Sequence, residues 1–442
     1  MPQADWTLDQ VFGVRRDVPL NYVDRLDVDG KLIDSLSRDH HIVIYGSSKQ
    51  GKTCLRKNCL KDDDYIVVSC LNRWNLADLH SAVLKEVGYT ITLSSSKTAS
   101  GTAKIVAKAE GEFGIPLVAK GKLAGELGGD ATIAETLTTK GLELDPLDVN
   151  DIIRALLSVG FGKYVVLEDF HYLPDETQRD FSFALKAFHE NSKLCFIIVG
   201  VWREENRLIA YNGDLTDRVF SVDVDHWSNE DLRKVIEAGE VLLGIQFSDE
   251  FKLELLSSCF SSVHIVQEAC RRCCIKHGAL RTTHEFRVFG TKENAKECIR
   301  LAVEEQSGRY NGFLMSFADG FQQTDLEMPK WIVYAILNFS IEHLERGVRL
   351  RELSRVIKAA HPKREELNNG NITQILNASS SLQVKKNIRP IVVDYDSANR
   401  NLHVVDKGFL IWLASQDIAE LREDLDLPGP VEVPGVQNAL PL

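Results

Sequence analysis

No uncharged apolar run in the 442 residues approaches the roughly 18 that a spanning helix needs. The opening residues, MPQADWTLDQ, lack the basic stretch and apolar core of a secretory signal. A soluble, cytoplasmic protein with no membrane partner is the expectation. Cationic excess is missing too: 52 Lys and Arg stand against 64 Asp and Glu, a net charge of -12. That excludes a chain that coats nucleic acid through its overall charge, so any such contact is local. A disulfide framework is not expected, because nine cysteines, an odd number, lie scattered from Cys54 to Cys298 and fit a reducing compartment. With 44% hydrophobic and 26% charged residues, the composition excludes a collagen, a coiled-coil rod and a wholly disordered chain. What remains is a globular protein of roughly three structural units, at about 150 residues each.

The first chemistry lies in HHIVIYGSSKQGKTCLRKNCL. His41-Ile42-Val43-Ile44-Tyr45 is a short, apolar, β-branched run of the kind that forms a buried parallel strand. Gly46-Ser47-Ser48-Lys49-Gln50-Gly51-Lys52-Thr53 then matches the P-loop pattern G-x-x-x-x-G-K-[ST], and Cys54 onward can continue as a helix. Glycines let such a loop curl so that successive N–H groups point at a β-phosphate, and the helix start adds its positive dipole end. Lys52 is placed to reach the β- and γ-phosphates of ATP, and the Thr53 hydroxyl to ligate magnesium.

A second buried strand, Lys163 to Leu167, ends in Glu168 and Asp169. Adjacent acids at a strand's carboxyl end face opposite sides, so one can address magnesium and the other the attacking water. Asp64 to Cys70 and Leu194 to Gly200 read as further strands, with a helix over 178–190 between the acid pair and the last of them. Strands alternating with helices predict an α/β fold, a doubly wound parallel sheet with ligands at the carboxyl edge.

These motifs resemble the STAND and origin-recognition branch of the AAA+ group of P-loop ATPases, together with the related transposition ATPases. Tyr22-Val23-Asp24-Arg25 is similar to the short motif that lies against adenine in that group, and Glu168-Asp169-Phe170-His171-Tyr172-Leu173 looks like its D-E-F-x-Y-L with the acids exchanged. The resemblance implies that Glu168 takes the metal side and Asp169 the place of the catalytic base, and that the shorter base slows hydrolysis. It also implies that Arg218, just before a short strand, reaches a neighbouring subunit's γ-phosphate in an oligomer. Two departures stand out. Gly200-Val201-Trp202 offers no polar sensor residue, and the lid stretch Ser261 to Gln267 has no Arg, only His264. Both suit a switch that holds ATP for long periods.

The core is expected over 1–227, interrupted at about 93–130 by a Gly-, Ala-, Ser- and Lys-rich excursion with little tendency to order. Its charges, among them Lys104, Lys108, Glu110, Glu112, Lys120, Lys122 and Glu126, break every apolar run and argue against membrane insertion. A helical lid is expected over 228–328, starting at an N-cap box of Ser228 and Asp231. Cys270, Cys273 and Cys274, near His264 and His277, lack a second paired knuckle and read as buried packing rather than a zinc site.

From 329 to 416 the order helix, helix-turn-helix, β-hairpin predicts a winged helix. Its charge is locally reversed, with 13 Lys and Arg against 8 Asp and Glu. That favours a DNA contact through Lys385, Lys386, Arg389 and Arg400, with Asn371, Thr373 and Gln374 on the recognition helix. The family resemblance equally implies an internal clamp on the ATPase. Residues 417–442, acidic and with four prolines, are expected to be a mobile tail. Three readings follow: a STAND-type switch acting on a partner or on itself by self-association, a DNA-binding replication initiator or transposition regulator, and a nucleotide-binding scaffold.

Overall fold

Five short strands with both faces buried build the centre of the molecule. The structure is a computed structural model, and it describes residues 5–15, 17–97, 103–109, 141–321 and 324–434. The strands are β1 (His41–Tyr45), β2 (Tyr65–Ser69), β3 (Tyr164–Glu168), β4 (Phe196–Gly200) and β5 (Val219–Asp223). All pairings are parallel, in the order β2-β3-β4-β1-β5. Side chains alternate between two cores: Val43, Tyr45, Val165, Leu167, Phe196 and Ile198 pack on one face, and Ile42, Ile44, Val166, Ile197 and Val199 on the other. A sheet covered on both sides needs apolar residues at successive positions, which is why these strands read as runs rather than alternations. Register brings Tyr45 level with Gly200 and Asp223, and Ser69 level with Glu168, so the strand ends form one edge. The fold is the mixed α/β one of P-loop NTPases.

The first part of the excursion is more ordered than its composition suggests. Tyr89–Lys97, Ala103–Ala109 and Leu142–Leu144 form an antiparallel three-stranded sheet, and Ile105 and Ala107 enter the sheet core. The remainder of the expected loop, 98–102 and 110–130, lies outside the described residues. Short apolar residues between the lysines suffice for a strand with one buried face.

Beyond the sheet, helices α1 (Lys52–Cys59), α2 (Asn229–Leu243), α3 (Val263–Lys276), α4 (Ser307–Ala318) and α5 (Lys407–Ala414) matter most for the site. Helix α2 starts at the expected reciprocal cap of Ser228 and Asp231. The N-terminal helix Leu8–Val11 departs from the expected boundary: Leu8, Val11 and Phe12 pack with α2 and α3, not with the sheet. Residues after 328 form helices Met328–Asn338, Ile341–Arg346, Leu350–Ala360, Asn369–Asn377 and Ser379–Lys385. A three-stranded antiparallel sheet follows, ordered Val348–Arg349, Asn401–Val404, Val393–Asp396. One continuous apolar core runs from Leu8 through the 228–328 helices to this C-terminal unit. The molecule thus falls into two units, the sheet with a core on each of its faces and the helical core shared with the C-terminal unit, and the nucleotide motifs lie where they meet.

The segment expected to be a mobile tail is ordered as far as it is described. Ile418–Asp424 is a helix capped by Asp417. Arg422 Nη2 donates to the Leu337 carbonyl at 2.7 Å, and Tyr334 donates to the Gly429 carbonyl at 2.9 Å. The acidic, proline-bearing composition hid the apolar Leu421, Leu425, Val431 and Val433 that join the core. Leu421→Ala should cost about 2–5 kcal/mol, as for other buried leucines; a thermal melt with an unchanged midpoint would show the segment to be dispensable.

Candidate nucleotide site

The P-loop owes its shape to three residues with positive φ, Gly46 (143°), Lys49 (61°) and Gly51 (86°). A Cβ on Gly46 would lie 2.7 Å from Val224 Cγ2 and 3.1 Å from an Asp225 oxygen, so this position has no room for a side chain. Helix α1 starts immediately after Gly51 with no side-chain cap, leaving its first N–H groups directed at the loop's hollow, the setting in which helix starts take phosphate.

Five P-loop residues are held from different directions. Ser47 donates its N–H to both Asp225 carboxylate oxygens at 2.9 Å and its hydroxyl to Oδ2 at 2.6 Å. Arg203, beyond the end of β4, pairs with the same carboxylate. Burial pushes the Asp225 carboxyl up, but Arg203, Lys407 and the Ser47 donors outweigh it and hold it below the usual carboxylate range. Ser48 donates its N–H to the Val405 carbonyl of the C-terminal unit at 2.7 Å. Lys49 Nζ donates to Gln306 Oε1 at 3.1 Å and stands 3.4 Å from His264 Nε2. Gln50 is wholly buried; it accepts from Val263 N–H and, through its carbonyl, from Trp227 Nε1. Lys52 Nζ donates to the Gly46 and Ser47 carbonyls at 3.0 and 2.6 Å, and burial lowers its pKa to about 8.

A cavity of about 310 Å³ opens beside the loop. Arg25, Lys49, Gln50, Gly51, Lys52, Thr53 and Cys54 line it together with apolar Val14, Pro19, Val23, Trp227, Val235 and Val263. Its apolar wall suits a planar base, and its polar end is the loop itself. Arg25 is fixed rather than free: Nη1 donates to the Val224 and His226 carbonyls at 2.9 and 3.2 Å, and the guanidinium lies 3.8 Å over the Trp227 ring. His264 lines the same wall, and burial followed by the Lys49 charge lowers its pKa to about 4. Near neutral pH it is therefore an uncharged acceptor for Lys49, not a cation for phosphate.

The two acids behave differently. Glu168 Oε1 accepts from Arg56 Nε at 3.2 Å, and Arg56, one turn along α1 from Thr53, also stacks 4.5 Å from the Tyr65 ring centre. Asp169 adopts a left-handed φ of 58°, an uncommon conformation for a residue with a side chain. Burial raises both carboxyls; Arg56 opposes it at Glu168, and Lys52 then Arg389 oppose it at Asp169. Both acids share their field with Lys52 at the carboxyl edge of the sheet. An oxygen donor set of the Thr53 hydroxyl and the second Glu168 oxygen is the hard, small one that magnesium takes, with phosphate oxygens and water completing the shell. The residues therefore fit that ion.

Arg218 lies elsewhere. It precedes β5, at the amino edge of the sheet, where it pairs with Glu190 at 3.0 Å. A five-residue strand, about 17 Å long, separates that edge from the P-loop, so Arg218 does not serve the nucleotide of its own chain.

Sequence reasoning missed Asp225, Arg203 and Val405. Asp225 carries the only available hint, an acid just past a strand that ends at the same edge as the P-loop.

No family model matches the sequence, and no curated protein matches it. Among solved structures, the chain is similar to the Walker-type ATPase PABY2304 of Pyrococcus abyssi, 13% identical over 91% of this chain and 99% of that one, with a TM-score of 0.48. It is also similar to the ORC2 protein of Aeropyrum pernix, 13% identical over 90% and 93% of the two chains at 0.42. The ORC1 protein of the same organism, solved in complex with DNA, is 10% identical over 96% and 98% at 0.43.

Asp225→Ala should destabilise the protein by about 1–3 kcal/mol, because it leaves the buried Ser47 donors without their acceptor and takes the partner from half-buried Arg203; denaturant melts showing a loss under 1 kcal/mol would refute its role as anchor. Lys52 gives a second expectation. Bound phosphates raise its lowered pKa again, so binding takes up a proton above about pH 8 and ATP affinity falls with rising pH, by up to about tenfold per unit. Titrations between pH 7 and 9.5 giving a constant Kd would contradict the burial of this ammonium.

Proposed function

We propose that this chain is an ATP-binding and ATP-hydrolysing AAA+ switch of the origin-recognition-like kind, in which the C-terminal unit docks on the P-loop and its docking depends on nucleotide. The observation that carries this reading is the hydrogen bond from Ser48 N–H to the Val405 carbonyl. It joins the phosphate-binding loop directly to the C-terminal unit. Around it the contact is mainly polar: Arg207 pairs with Asp394 at 2.6 Å with both side chains buried, and Lys407 faces Asp225. The apolar part is small, consisting of Val201, Val384, Ile391 and Val405, with Tyr172 against them. Such an interface favours relative movement of the two units more than a large apolar one does.

In this reading the α1 start and P-loop amides hold the phosphates, and Lys52 exchanges its two loop carbonyls for phosphate oxygens. Magnesium, held by Thr53 and Glu168, neutralises phosphate charge when bound. Asp169 orients the attacking water. The Arg56–Glu168 pair competes with the metal for one carboxylate, which supports slow turnover. Arg218, half-buried at the far edge, would have to leave Glu190 to reach a neighbouring subunit's phosphate in a self-associated form.

Residues 329–416 are read as a winged helix used as an internal clamp. The DNA alternative is weakened by how its candidate residues are employed. Asn371 caps its own helix, and Thr373 donates to the Asn369 carbonyl. Lys385 packs on the Phe321 ring and Arg389 on Tyr172. Gln374, Lys386 and Arg400 make no such contact and remain available.

Lys52→Ala should abolish ATP binding, and Asp169→Ala should bind ATP but lose about 100-fold or more in turnover. Equal turnover in wild type and Asp169→Ala refutes the assigned base, and retained ATP affinity in Lys52→Ala refutes the site. A gel shift at low salt that shows ATP-dependent DNA binding would move the C-terminal unit to the DNA reading.

A further inference from the structure

Arg389 lies on the turn between helix Ser379–Lys385 and strand Val393–Asp396, in the C-terminal unit, yet its surroundings belong to the nucleotide site. Its guanidinium sits 4.9 Å from the centre of the Tyr172 ring, in the turn that follows Asp169 directly. Among the described residues it has no hydrogen bond and no ion pair, and the same holds for the Asp169 carboxylate. Asp169 nevertheless feels two cations, Lys52 from the P-loop and Arg389 from the C-terminal unit. Both residues are exposed, so each is open to a ligand entering the site.

The turn carrying Arg389 is firmly held. Arg309 Nη1 donates to the Pro390 carbonyl at 3.0 Å. The buried Gln383 side chain accepts from Val392 and Val393 N–H at 2.7 and 3.2 Å. Ile391, fully buried, packs with Val201 and Val405. Arg309 in turn pairs with Asp406, next to the carbonyl that holds Ser48. Arg389 is therefore fixed relative to the P-loop by the same contacts that dock the unit.

We propose that Arg389 is the C-terminal unit's own contribution to the phosphate site, a cation supplied within the chain that engages the terminal phosphate of ATP and has no counterpart contact with ADP. This deepens the ATPase reading and rests on it. During hydrolysis the water oxygen forms a bond to the γ-phosphorus as the bond to the β,γ-bridging oxygen breaks. The electron pair leaves with ADP, and the water's proton passes to Asp169 and on to solvent or phosphate. Negative charge on the three γ-oxygens is met by Lys52 on one side and Arg389 on the side of Asp169. Loss of the third phosphate removes Arg389's anionic partner and so weakens the docking of the unit that carries it. Docking then reports which nucleotide is bound, with no need for a second subunit.

The test measures Kd for ADP and for a non-hydrolysable ATP analogue, and the single-turnover rate with ATP, in the full chain. The variants are Arg389→Ala, Arg389→Met, which keeps packing on Tyr172 without charge, and Arg389→Lys; Arg364→Ala removes an exposed cation of the same unit as a control. Expected for Arg389→Ala and Arg389→Met is a loss of about tenfold or more in analogue affinity and in rate, with ADP affinity within about twofold of wild type. Arg389→Lys should recover part of both, and Arg364→Ala should match wild type. The proposal is overturned if Arg389→Met keeps the wild-type rate and preference for the triphosphate, or weakens both nucleotides equally. Should Arg389→Ala fail to fold, Arg389→Met decides alone. Failure of the wild-type protein to bind either nucleotide would instead sink the ATPase reading itself, which that arm reveals separately.

Discussion

A single buried carboxylate organises the site. Asp225 takes the backbone and hydroxyl of Ser47, pairs with Arg203 and faces Lys407. Each partner belongs to a different part of the chain: the P-loop, the end of β4, and the start of α5. An isolated charge in that position would be expensive, and the arrangement is tolerable only because donors surround it. The consequence is geometric. The first turn of the P-loop is fixed by an acid just past β5, and anything that moves Arg203 or Lys407 is felt at Ser47.

The division into two units gives this anchor its significance. One is the parallel sheet with a core on each face; the other is a single core that runs unbroken through the 228–328 helices and the C-terminal unit. The cavity beside the P-loop has walls from both, with Trp227, Val235 and Val263 facing Lys52 and Cys54. A ligand filling it would contact both units, so its binding energy is available to set their relation. Because the direct contacts between them are largely ion pairs and hydrogen bonds, partners can be exchanged without opening a large apolar surface.

Much of the sheet and the loop was legible because both announce themselves locally. Uninterrupted apolar runs marked β1 and β3, and the P-loop pattern places glycine where positive φ is required. The acid pair was legible from its position at a strand end. The rest depends on contacts distant in sequence. Asp225 lies 178 residues from Ser47, and the pairing of Ser48 with a backbone carbonyl leaves no trace in side-chain identity. The tail misled for a different reason: charge and proline dominate 417–434, while a few spaced apolar residues decide its burial. The single core shared by the 228–328 and 329–416 segments was invisible too, since helical periodicity reports that a face is buried but not against what.

Amide hydrogen exchange resolved to the segments 46–52 and 402–406 tests the central claim most directly. Compared between the ADP complex and the complex with a non-hydrolysable ATP analogue, both segments should change protection together, because Ser48 and Val405 share the bond that docks the C-terminal unit. Identical exchange of 402–406 in the two complexes, with 46–52 alone responding, would mean that nucleotide fills the loop without speaking to the rest of the molecule.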